Sequence, residues 1–201
     1  MKSDKEGSER DAADKAAMTQ LREGNDLALN AIMEHWEQPL LSFLYRYTTN
    51  WSVAVDLAQE TFVKVFQSRM RYRPKGQFST WLFSIAMNLA RNEARWRKRN
   101  PQSAMSGAAE DERQLAALDS AEIRPDDAAA GNDRARMVRE AIRELPGDLR
   151  TVVLLSEYEG MTQREIGDVL GCTPKAVETR LYRARKLLRD KLKDAVGDVM
   201  A

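Results

Sequence analysis

Lys175, Glu178, Thr179, Tyr182, Arg183 and Lys186 recur at three- and four-residue steps, so a helix would carry all six on one face, with Arg180 beside them. Their chemistry is charge and hydrogen bonding, not proton transfer. Arginine can fork onto guanine, lysine and threonine can meet phosphates or base edges, and glutamate can accept from the amine of cytosine. A second set lies upstream, where Tyr72, Phe78, Trp81 and Trp96 are interleaved with Arg71, Arg73, Lys75, Arg91, Arg95 and Arg97. Aromatic faces can stack on unpaired bases while cations track a backbone. Trp81, with Leu82 and Ile85 nearby, reads as core, whereas Asn88, Arg91, Asn92 and Arg95 share one polar face.

Side chains for covalent or metal chemistry are scarce. The chain of 201 residues has one cysteine, Cys172, and one histidine, His35. No disulfide can form within it, and the ligands of a Cys/His metal site are missing. His35 lies in an apolar helical stretch, and no glycine loop for phosphate is present. No cofactor, no metal and no enzyme activity are expected. With no run of about 18 apolar residues and no apolar core near the N-terminus, neither membrane insertion nor a signal peptide is expected. The expected location is the cytoplasm.

The elements that would position these faces are all helical. Residues 1–24 read as a polar, frayed extension. Leu27, Ile32, Met33, Trp36, Leu40, Leu41, Leu44 and Tyr45 then recur at roughly helical spacing. Ser52 can cap a second helix bearing Val55, Leu57, Phe62, Val65 and Phe66, and Ser79 or Thr80 a third bearing Trp81, Leu82, Ile85, Ala86 and Leu89. Asn100-Pro101 ends that helix, and residues 101–133 read as a flexible acidic linker with a short helix around Gln114 to Leu118. In the second domain Val138, Ile142 and Leu145 mark one helix, and Val152–Leu155 the next, ending at Gly160. The fold class is therefore all-α: two small domains, 25–100 and 134–195, the second containing a helix-turn-helix.

The helix-turn-helix is written locally. Thr162 with Glu165 makes a capping box, and Ile166, Val169 and Leu170 an inner stripe. Gly171 can take the left-handed conformation that ends a helix. Thr173 caps the next helix with Pro174 at its first position, and Val177, Leu181, Ala184 and Leu188 form its buried seam. Charge is segregated around this plan. Residues 64–99 carry ten bases and one acid, and residues 101–133 eight acids and two arginines, within a net charge of +1. Segregated charge of this kind marks a nucleic-acid binder with an acidic joint.

Two stretches resemble a known family. Asp56-Leu57-Ala58-Gln59-Glu60-Thr61-Phe62-Val63-Lys64-Val65-Phe66, followed by Phe78 through Asn88, is similar to region 2 of bacterial extracytoplasmic-function (ECF) sigma factors. Leu145-Pro146-Gly147-Asp148-Leu149-Arg150 and then Glu159 through Leu188 resemble region 4. The resemblance implies a subunit that takes core RNA polymerase to promoters. Asp56, Gln59, Glu60 and Lys64 would dock on the clamp coiled coil of the largest subunit. Tyr72, Phe78, Asn88, Arg91, Asn92 and Arg95 would read and hold open the −10 element. Lys175, Glu178, Thr179, Arg180, Tyr182, Arg183 and Lys186 would bind the −35 element, and the second domain would touch the flap of the second-largest subunit. An anti-sigma factor is the implied regulator. Lys175-Ala176 stands where the family often has Gly-Thr, Glu178 where a base is common, and Asn92 where many members carry Asp, so promoter preference cannot be carried over. On residues alone, a DNA-binding regulator that works without polymerase stays open.

Overall fold

The computed structural model describes residues 2–100 and 130–199, with side chains over 7–100 and 136–193. Among the described residues every regular element is a helix. The chain divides into two compact units, Met1–Leu44 with Ser52–Met105, and Tyr45–Trp51 with Ser106–Ala201.

The first unit is built on α1 (Lys2–Arg22), α2 (Ala28–Thr48), α3 (Trp51–Ser68) and α4 (Phe78–Arg99), with a single 3-10 turn at Arg69–Arg71 ahead of the loop into α4. α2 buries Ala28, Ile32, Trp36, Leu40 and Leu44, one stripe at four-residue steps. Leu27, expected on that stripe, is exposed in the turn before it. α3 buries Leu57, Ala58, Thr61, Phe62 and Val65. Thr61 fits an apolar seam because its hydroxyl donates to the Leu57 carbonyl at 2.7 Å. α4 contributes Phe78, Leu82, Phe83, Ala86 and Met87, and its rings interlock with α2: Phe83 meets Phe43 edge-on at 5.0 Å and Trp36 at 6.0 Å.

Two expectations for this unit are corrected. Within the stretch expected to be frayed, Lys2–Arg22 form a helix, and α1 packs against the 3-10 turn and α4. Met18 and Leu21 are fully buried, and so is the carboxylate of Asp14. That carboxylate accepts from the Trp36 indole N–H at 2.8 Å and faces His35 Nδ1 at 3.0 Å. Arg10 lies 4.1 Å over the Trp36 ring. Nor do Ser79 and Thr80 cap α4, which starts at Phe78 without a side-chain cap from Gln77. Its N-terminus is capped from α1 instead, the Asp11 carboxylate accepting from the Phe78 N–H at 2.6 Å. An anion at that end also complements the helix dipole.

The second unit holds α5 (Ala130–Arg143), α6 (Gly147–Val153) running into a wide π turn at Leu154–Tyr158, α7 (Gln163–Leu170) and α8 (Pro174–Val199). α5 starts at Ala130, ahead of the expected start at Arg134. The expected linker up to residue 129, with its short helix around Gln114 to Leu118, lies outside the described residues. α8 packs on α5, α6 and α7, around a core of Ile142, Leu145, Leu149, Val152–Leu155, Ile166, Val177 and Leu181. Val138, expected on the inner face, is exposed. Arg150, read first only as part of a motif, has an internal task. Its guanidinium donates to the carbonyls of Arg143 and Leu145, closing the end of α5. Burial pushes its pKa below the usual arginine value.

Candidate nucleic-acid interfaces

The turn between α7 and α8 is assembled from short-range chemistry. Thr162 takes the N–H of Glu165 at 3.3 Å on its hydroxyl, and the Glu165 carboxylate takes the N–H of Thr162 at 2.8 Å, closing the capping box. Gly171 ends α7 in the left-handed region, with φ at 66°. Thr173 caps α8 by accepting from the Ala176 N–H at 3.2 Å. Gly167 lets the turn close: a Cβ there would sit 2.7 Å from the Cys172 carbonyl oxygen. Val177, Leu181 and Ala184 are buried as expected, and Leu188 is half-buried.

This seats one face of α8 outward. Lys175, Glu178, Thr179, Tyr182, Arg183 and Lys186 are all exposed, Tyr182 at 72%. Arg180 is not with them. It is half-buried, its Nη1 lying 3.5 Å from Cys172 Sγ, and so it turns toward the joint. Lys175 and Glu178 pair at 2.8 Å, which offsets the acid that would otherwise face a phosphate backbone. The Thr179 hydroxyl donates to the Lys175 carbonyl at 2.9 Å and keeps its lone pairs as acceptors. Lys186, Arg189 and Lys193 continue the positive edge along the groove beside α8.

On the first unit Asn88, Asn92 and Arg95 are exposed along α4 and Arg91 is half-buried. Arg95 and Asn92 touch at 3.4 Å, at the edge of a depression shared with Lys98 and Arg99. Tyr72 and Phe78 are placed otherwise. Both are buried, in ring contact with each other at 6.2 Å and with Trp81 at 4.7 and 5.7 Å. In this structure neither offers a free face to a base. Burial, and then the nearby Asp11 and Asp14 carboxylates, push the Tyr72 phenol up to about 12. An unfolded chain ionises Tyr72 near 10 and releases its proton first, so this stability is intact below pH 10 and lost as pH rises through 12. Absorbance titration at 295 nm is expected to show a late-ionising component that disappears in Tyr72→Phe.

On α3, Asp56, Gln59 and Glu60 are exposed, and Lys64 is half-buried with its ammonium 3.3 Å from Gln67. These polar groups border an apolar groove between α2 and α3 whose walls include Leu29, Met33, Leu41, Val55, Val63 and Phe66. The groove was not foreseen. Its one signal was Val63, an apolar residue among the charges of Glu60 and Lys64, which is half exposed. Among the described residues no cluster of acids, histidines and cysteines could hold a metal ion, and no helix is long and apolar enough to cross a membrane.

Comparison with known proteins matches both units. The family model described as Sigma-70 region 2 matches residues 32–100, and that of Sigma-70, region 4, matches residues 135–188. The chain is similar to the ECF RNA polymerase sigma-E factor of Haemophilus influenzae, at 27% identity over 180 residues, covering 89% of this chain and 95% of that one. It is similar also to the RNA polymerase sigma-H factor of Pseudomonas aeruginosa, at 28% identity, covering 87% and 91%. Among solved structures it resembles CnrH in complex with the cytosolic domain of CnrY, with a TM-score of 0.66, 25% identity and coverage of 90% and 98%. The sigma factor RpoE of Bartonella quintana, in complex with the anti-sigma factor NepR, shares the fold, with a TM-score of 0.65 at 20% identity, covering 83% and 98%.

Proposed function

Because this chain belongs to the sigma-70 family, in its extracytoplasmic-function branch, we propose that it binds core RNA polymerase and starts transcription at promoters that core alone ignores. The observation that carries this reading is the separation of labour between units. One presents a capped recognition helix with Lys175, Glu178, Tyr182, Arg183 and Lys186 outward. The other presents a basic helix with Asn88, Asn92 and Arg95 outward. The first would dock in the major groove of the −35 element, and the second would hold the strand of the −10 element once it opens. The flap of the second-largest subunit would meet the second unit.

The α3 face supplies the contact to the clamp coiled coil. Asp56, Gln59 and Glu60 give a polar rim, and the apolar groove beside Val63 gives the desolvated centre that a protein interface needs. RpoE of Bartonella quintana, which shares the fold, is seen in complex with the anti-sigma factor NepR, and an anti-sigma factor is the regulator proposed for this chain too. Covering the α3 face would be enough to keep it from polymerase. The chain acts by recognition and strand opening and carries out no covalent chemistry of its own.

Run-off transcription of genomic fragments with core polymerase is the test, and absence of any specific start with folded protein and active core would refute the reading. Arg183→Ala is expected to weaken −35 duplex binding by about 1–3 kcal/mol, the scale of one bidentate base contact. Asn88→Ala should leave duplex affinity alone and slow opening, read by permanganate footprinting of unpaired thymines. Glu60→Lys should cost at least about 2 kcal/mol of polymerase affinity in a pull-down titration, as loss of an interface anchor does, while −35 duplex binding stays unchanged. Retained polymerase affinity would show the docking face to be elsewhere.

A further inference from the structure

With Tyr72 and Phe78 buried, the basic surface of the first unit needs another group to hold an unpaired base. We infer that Trp96 is that group, stacking on a base of the opened strand while Arg95 and Arg99 hold the phosphates on either side of it. The inference rests on the sigma-factor reading above and gives its −10 surface a stacking residue.

Exposure comes first. Trp96 is 44% exposed, whereas Trp36 is buried and Trp51 and Trp81 are half-buried. An indole this open near the end of a well-packed helix is not serving the core. Position is the second observation. Asn92, Arg95, Trp96 and Arg99 stand at steps of three, one and three, which puts them on one face of α4. Charge is the third. Glu93, the one acid of this stretch, is taken by Arg97 at 2.7 Å. Arg95, Lys98 and Arg99 make no ion pair with any described carboxylate. Such a surface repels a basic partner and attracts a polyanion. Among polyanions, an unpaired strand is the one whose bases offer flat faces to an indole. The acidic residues 110–133 could neutralise the cations, but the whole span 101–133 contains no aromatic ring to match the indole.

The test uses the full chain, a fluorescein-labelled single-stranded dT20 and a 20-base-pair duplex, followed by anisotropy. Trp96→Ala is expected to weaken dT20 binding about 5- to 150-fold, the range for removal of one stacking aromatic. Trp96→Phe should restore most of the affinity, and duplex binding should stay within about twofold. The salt slope on dT20 should be unchanged in Trp96→Ala and fall by about 0.7 in Arg95→Ala, which loses a phosphate contact. Wild-type tryptophan emission should be quenched by dT20, with the quench reduced in Trp96→Phe. Unchanged dT20 affinity in Trp96→Ala, or equal loss on both probes, overturns the inference. So does a loss of core polymerase binding with dT20 binding intact, which would give the indole to a protein partner. These outcomes are separable from failure of the sigma reading, which shows as absence of specific transcripts from the wild-type holoenzyme.

Discussion

Asp14→Ala is expected to cost the first unit about 3 kcal/mol, or roughly 10–20 °C in its melting midpoint. The substitution deletes a buried carboxylate that accepts from Trp36 at 2.8 Å and faces His35 at 3.0 Å. It leaves the indole N–H of a buried ring without a partner, and a buried orphan donor costs more than a lost surface bond. It also releases the middle of α1, whose last turns bury Met18 and Leu21. Asp14→Asn keeps an acceptor oxygen for the indole and should lose less than half as much. Three of the four tryptophans, Trp36, Trp81 and Trp96, lie in this unit, so most of the emission follows it. A midpoint within about 1 °C of wild type would mean that α1 is not integral to the unit.

Gly167→Val is expected to abolish −35 duplex binding and to cost the second unit about 3 kcal/mol. The first atom of any side chain at 167 meets the Cys172 carbonyl oxygen at 2.7 Å, with the Pro174 nitrogen behind it at 3.6 Å. Both are backbone in a turn already fixed by the left-handed Gly171 and the Thr173 cap. The obstacle cannot rotate aside as a side chain could. Overpacking a tight site costs about 1–3 kcal/mol, and the branched valine adds atoms where none fit. Gly167→Ala meets the same oxygen but gains about 1 kcal/mol of helix propensity, so its net loss should be smaller. Far-UV circular dichroism and duplex anisotropy read both effects. A Gly167→Val protein that melts and binds like wild type would show that α7 does not approach the turn so closely.

Legibility followed the range of the interactions. The α7–α8 turn was readable in detail because its parts lie within a dozen residues: Thr162 with Glu165, Gly171, then Thr173 with Pro174. The start of α4 was misread because its cap is Asp11, 67 positions away in sequence, and local hydroxyls at Ser79 and Thr80 looked sufficient. α1 was missed for a related reason. Only its last turns carry large apolar groups, and its polar first half gives no helical stripe. Tyr72 and Phe78 were ambiguous in kind: an aromatic between arginines serves equally as a platform or a core ring, and packing against Trp81 decides it. Arg180 stands only beside the recognition face by spacing, and its reach to Cys172 turns it further from that face. The apolar groove beside α3 needed two helices at once, so no single pattern announced it.

The bond between Asp11 and Phe78 also sets an order of events during synthesis. Asp11 leaves the ribosome 67 residues before its partner, a wait of roughly 3–13 s at about 5–20 residues per second. For that interval Met18 and Leu21 have no α4 or 3-10 turn to cover them. α1 is thus made well before the helix end that it caps, and it stays open to a chaperone or a protease for that interval.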